Sequence, residues 1–134
     1  MSRFILDACS IIAFVNAEEG SERMKTLLEK AANEFYMHML NLGEVYYGFY
    51  KVEGREKAET VIENLMQLPI NFVEDMSIDF VKTAGKYKAN YRISFADAFV
   101  LALAEKREGK VVTTDHGEFD PVAKKERIEF FWVR

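Results

Sequence analysis

Four carboxylates in this 134-residue sequence fall where they could share one site. The run from Ile93 to Ala104, Ile-Ser-Phe-Ala-Asp-Ala-Phe-Val-Leu-Ala-Leu-Ala, carries a single charge, Asp97. It is apolar on every helical face, the pattern of a helix buried inside a domain. An ionised carboxylate there is costly unless something pairs with it or coordinates it. Its natural companions are Asp7, Glu44 and Asp115, each at a point where a strand should stop or a helix start. Acids gathered without a counter-ion raise one another's pKa and cost stability. A hard divalent cation removes that repulsion, and all-oxygen ligation selects Mg²⁺ or Mn²⁺ over zinc. The only other candidate donors, Cys9, His38 and His116, show no zinc-site spacing. Such a centre suits phosphodiester hydrolysis, in which a metal activates water, orients the phosphate and stabilises the charge of in-line displacement.

Each acid also has an ordinary explanation. Ser94-Phe-Ala-Asp97 reads as a capping box, and Asn41-Leu-Gly-Glu44 can be read in the same way. Asp7 is a plausible N-cap, and Asp115 could open a turn. Capping accounts for tolerating one acid at a time. It does not account for four acids converging on one pocket.

The elements that would position them follow from hydrophobic spacing. Strands are expected at Arg3–Leu6, Phe35–Met39, Ile70–Val73, Lys110–Thr114 and Ile128–Val133. Helices are expected at Ser10–Asn16, Ser21–Ala32 (capped by Ser21), Leu42–Val52, Arg55–Met66, Ser77–Asn90 and Ser94–Glu108, with Gly54 and Gly109 as punctuation. Strands alternating with helices imply an α/β fold, a central and mostly parallel sheet of about four or five strands flanked by helices. In such sheets ligands bind beyond the carboxyl ends of the strands, where the strand order switches. Asp7 and Asp115 follow strands directly, and Glu44 and Asp97 are expected in the first turns of helices.

Composition fits one domain spanning residues 1–134: 49% of residues are hydrophobic, 30% are charged, and no repeat or linker-like stretch interrupts them. One cysteine excludes an internal disulfide framework and suits a reducing cytoplasm. Phe4-Ile5-Leu6 is broken at once by Asp7, so no signal peptide is read, and no apolar run reaches the roughly 20 residues of a membrane span. The expectation is a soluble cytoplasmic protein. A net charge of −4 argues against a generic nucleic-acid-coating protein but not against an enzyme with an acidic pocket and basic rim.

Four blocks in order, Phe4-Ile-Leu-Asp7-Ala-Cys-Ser-Ile-Ile-Ala13, Asn41-Leu-Gly-Glu44, Ser94-Phe-Ala-Asp97-Ala and Val111-Val-Thr-Thr-Asp115-His-Gly-Glu-Phe119, resemble the PIN-domain nucleases. Within them the chain looks most like the VapC-type ribonuclease toxins of prokaryotic toxin–antitoxin pairs. The resemblance implies a PIN-like fold and Mg²⁺- or Mn²⁺-dependent endoribonuclease activity at Asp7, Glu44, Asp97 and Asp115, with Thr113 supporting the site. It also implies an RNA substrate, a homodimer, and a cognate antitoxin whose C-terminal segment lies over the cleft. One position departs from the family: Ser or Asn usually stands two residues after the first Asp, and here it is Cys9. A thiol is the weaker hydrogen-bond donor, so Ser10 is the candidate to replace it as a supporting residue.

Other residues carry weaker signals. Cys9 beside Asp7 lacks the basic neighbour a nucleophile needs and reads as packing. His116 reads as part of an exposed turn, and Glu118 and Asp120 as solvated surface. Tyr46, Tyr47, Phe49 and Tyr50 crowd nearly all faces of one helix, so some should face a second copy or the antitoxin. Lys51, Arg55, Lys86, Lys88 and Arg92 are candidate RNA phosphate contacts. Two alternatives belong to other classes. A degenerate PIN fold could serve as a binding module only. A phospho-receiver domain also gathers acids around Mg²⁺, but its lysine after the fifth strand has no counterpart beside Arg134.

Overall fold

The computed structural model describes residues 2–134. Five short strands, β1 (Arg3–Leu6), β2 (Glu34–His38), β3 (Ile70–Val73), β4 (Lys110–Thr113) and β5 (Phe130–Trp132), form one sheet in the order β3-β2-β1-β4-β5. Every pairing is parallel. The connections carry seven helices: α1 (Ala8–Val15), α2 (Ser21–Glu29), α3 (Met39–Glu53), α4 (Arg55–Leu65), α5 (Ile78–Asn90), α6 (Phe95–Arg107) and α7 (His116–Lys125). The chain leaves β1 toward β2 and leaves β4 toward β5, so the order switches between β1 and β4. That is where a parallel sheet opens its crevice.

Alternation along the strands divides the apolar side chains between two layers. Phe4 and Leu6 pack with Met24, Phe35, Met37, Val45 and Phe49 beneath α1 to α4. Ile5 packs on the other face with Tyr36, Phe80, Phe99, Val111 and Phe119. The apolar run around Asp97 is the centre of this second layer: from Ala98 to Ala104 every residue of α6 is buried.

Several boundaries differ from expectation. Helix α1 starts at Ala8 with Asp7 as its cap. Helix α2 is capped by Gly20 rather than Ser21; at φ +94° a Cβ there would lie 2.5 Å from the backbone oxygen of Val133. Only glycine allows that approach at that backbone angle. Helix α3 begins three residues early, because His38 Nδ1 accepts the Leu40 N–H at 3.0 Å and caps it. Asn41 is therefore not a cap, and Glu44 lies in the second turn, not the first. Helix α7 was not expected at all. Gly117 and Pro121 argue against it, yet Asp115 caps it through the Glu118 N–H at 3.0 Å. Among the described residues no helix is long and apolar enough to cross a membrane.

Candidate metal centre

The pairing of Leu6 with Val112 puts Asp7 level with Thr113 at the carboxyl edge of the sheet. Asp7 is 1% exposed and Thr113 fully buried. The Thr113 hydroxyl donates to Asp7 Oδ2 and accepts the Asp115 N–H at 3.0 Å, so one side chain orients two of the acids. Asp7 Oδ1 accepts the Ser10 N–H at 2.8 Å. The Ser10 hydroxyl is spent on the Asp7 carbonyl at 3.1 Å; it braces the turn that carries Asp7.

Three helix N-termini meet at this edge. Asp7 caps α1, Asp97 is the third residue of α6, and Asp115 and Glu118 cap and enter α7. The partial positive charge of each terminus favours carboxylates there. Ser94 Oγ accepts the Asp97 N–H at 3.1 Å, which is half of a capping box. The Asp97 carboxylate instead lies with those of Asp115 and Glu118, one oxygen of each within 4.8 Å of the others. Glu118, expected as solvated surface, is thus part of the cluster. Its Oε2 is buried and has no hydrogen-bond partner among the described residues. An anionic oxygen left bare among carboxylates calls for a cation, and four half-buried or buried carboxylates offer the hard oxygen donors that Mg²⁺ or Mn²⁺ takes. The residues present fit such an ion.

Glu44 reaches the same cleft from α3. Burial holds its carboxyl above the usual range, the bond from Asn41 opposes this, and the charge of Glu118 adds to it. Burial likewise pushes Asp7 up to about 6, against the bonds from Thr113 and Ser10 and aided by Asp115. Cys9 is exposed as a residue, yet desolvation at its sulfur, followed by the charges of Asp7, Asp115, Glu44 and Glu118, pushes its thiol up to about 12. The thiol therefore lies in the field of four carboxylates, Asp7, Glu44, Asp115 and Glu118, and is unfit as a nucleophile.

The remaining residues sort themselves by position. His38 is a buried structural residue: Nε2 meets the Asp75 carbonyl at 2.9 Å and the ring stacks on Phe80. His116 begins α7, stacked on Trp132 at 3.9 Å, with its ring nitrogens 3.0 Å from Asp120 Oδ1 and 2.9 Å from the Arg134 carbonyl. Asp120 is thereby engaged away from the acids. Lys51, Arg55, Lys88 and Arg92 are exposed. Lys86 is paired with Glu105 at 3.1 Å, about 12 Å along α6 from Asp97. Of the aromatic quartet on α3, Phe49 is core and Tyr46 packs against it, while Tyr47 and Tyr50 are 63% and 49% exposed.

A family model of the PIN domain matches residues 4–125. Among solved structures, VapBC of Salmonella typhimurium, bound to DNA, has a TM-score of 0.74 at 20% identity and covers 100% of both chains. VapBC-1 of nontypeable Haemophilus influenzae has a TM-score of 0.71 at 19% identity, with 98% of each chain covered. VapC20 of Mycobacterium tuberculosis, a sarcin-ricin loop cleaving toxin, has a TM-score of 0.71 at 18% identity and covers 89% of this chain and 94% of its own. No curated protein sequence matches. At these identities the structures share the fold, and the match to the family model spans most of the sequence. The chain belongs to the PIN-domain family.

Proposed function

We propose that this protein is a Mg²⁺- or Mn²⁺-dependent endoribonuclease, the toxin of a toxin–antitoxin pair acting in the cytoplasm. The observation that carries the reading is the bare Glu118 oxygen among the carboxylates of Asp97 and Asp115, with Asp7 held beside them by Thr113. Asp7, Glu44, Asp97, Asp115 and Glu118 would hold the ion. When bound, the ion supplies an activated water and neutralises charge on the phosphate. The protein's own part is orientation. Thr113 and Ser10 fix Asp7, and the helix termini fix Asp97, Asp115 and Glu118 before any substrate arrives. Exposed Lys51, Arg55, Lys88 and Arg92 are the candidate phosphate contacts; Lys86, already paired with Glu105, is the weakest of the five.

Membership of the PIN family and the toxin–antitoxin complexes among its structural neighbours support this reading and a cognate antitoxin. A homodimer is supported by apolar exposure. Contacts of His38 with Asp75 and of Asn41 with Ala96 draw Met39, Leu40, Met76, Ile78 and Phe95 to one end of the molecule, and these are 40%, 41%, 61%, 75% and 55% exposed. Such a patch is unusual on a monomer.

The test is cleavage of a mixed RNA pool by purified protein with Mg²⁺, Mn²⁺ or EDTA, beside Asp97→Asn. Cleavage that needs the metal and is lost in the variant is expected. A folded, partner-free protein that cuts no RNA in either metal would refute the proposal.

A further inference from the structure

We infer that Asn41 is a positioning residue that clamps Glu44 of α3 to the start of α6 and so fixes the spacing of Glu44 and Asp97. The inference rests on the metal-site reading above. Asn41 is fully buried, and its Nδ2 donates to two acceptors: Glu44 Oε1 at 3.3 Å and the carbonyl of Ala96, the residue before Asp97, at 3.0 Å. One amide therefore spans the two helices that bring these acids to the cleft. Turned over, it would point an oxygen at both acceptors, so only this orientation is compatible with its neighbours.

The orientation leaves Oδ1 buried with no partner among the described residues. A buried carbonyl oxygen left this way costs about 1–3 kcal/mol. Leucine, of similar size, would fill the position without that cost, so stability alone does not explain an amide here. Geometry does. The charge on Glu118 repels the half-buried Glu44 carboxylate, and the bond from Asn41 resists its swinging out.

The test uses the whole purified protein and two readouts: Mn²⁺ affinity, from the free-Mn²⁺ resonance signal, and thermal unfolding in EDTA. Asn41→Leu and Asn41→Ala are compared with Glu44→Gln and with the double variant Asn41→Leu/Glu44→Gln. Removing a residue that orients a ligand should weaken Mn²⁺ binding by about 10–100-fold in both Asn41 variants. Asn41→Leu should unfold in EDTA at a temperature close to that of wild type. The double variant should bind no more weakly than Glu44→Gln, because the effect passes through Glu44. Wild-type affinity in the Asn41 variants overturns the clamp, as does full additivity in the double variant. Asn41→Ala carries the test if the leucine variant fails to fold. A wild-type protein that binds no Mn²⁺ removes the metal site and the clamp together, whereas unaffected Asn41 variants of a Mn²⁺-binding protein remove the clamp alone.

Discussion

Replacing Asp7 by asparagine should stabilise the metal-free protein at neutral pH. The wild-type carboxyl is buried at the end of β1, and its pKa rises from 3.8 to about 6 on folding. A folded pKa above the unfolded one means that the group's favourable contribution is complete below pH 4 and lost as pH rises through 6. At about 1.4 kcal/mol per pKa unit, ionised Asp7 destabilises the fold by about 3 kcal/mol above pH 6. Asparagine can still cap α1 by accepting the Ser10 N–H, and the Thr113 hydroxyl can turn to accept from the new amide. Urea denaturation in EDTA should therefore show Asp7→Asn ahead by about 3 kcal/mol at pH 7.5, with the gap closing toward pH 4. Mg²⁺ at a hundred times its Kd should then add about 2.7 kcal/mol to the wild type and much less to the variant. A variant no more stable than wild type at pH 7.5, or a gap that ignores pH, would refute the claim that this carboxylate is held in the fold at a cost.

Thr113→Val keeps the side-chain shape but leaves the Asp115 N–H and Asp7 Oδ2 without their shared partner; about 1–3 kcal/mol of stability should be lost in urea titrations, together with Mn²⁺ affinity. Cys9, with its thiol pushed up to about 12, should react with iodoacetamide only slowly at pH 8 and faster as pH rises beyond 9; rapid alkylation at pH 8, followed by mass spectrometry, would contradict the acidic ring around it. Asp75 is held down to about 2 by the Lys106 ammonium and then by Ser77. Its contribution is present above an ordinary carboxyl pKa and lost as pH falls through 2, so the Tm difference between wild type and Asp75→Asn should shrink from pH 5 downward.

The parallel sheet was legible because each strand is short, apolar and closely followed by a polar break, and the acids at Asp7 and Asp115 were legible because they are those breaks. Asp97 stood out as a lone charge in an apolar run. Less was readable where two local signals compete. Asn41-Leu-Gly-Glu44 has the spacing of a capping box, but His38 caps α3 first, and the ring that does so is held from β3's side by the Asp75 carbonyl, a contact 37 residues away. In α7, Gly117 and Pro121 mask the helix, although Asp115 followed three residues later by Glu118 is itself a helix-start signal. Reading that signal would have brought Glu118 into the cluster. The paired state of Lys86 depends on a partner in another helix and leaves no trace in its own neighbourhood.

The bond between Thr113 and Asp7 closes a loop of 106 residues, and it joins the two strands at the middle of the sheet. Folding must meet the entropy of that closure before the central pairing repays it, which makes this pairing a costly, long-range step of folding. During synthesis, helices α1 to α4 can gather on β1 and β2 while β4 has yet to emerge. Asp7, Glu44 and Asp97 thus exist for a time without the strand that brings Asp115 and Glu118 to them. Completion of the cleft coincides with completion of the sheet, so a chain that stops short of β4 carries three of the five acids and none of the site.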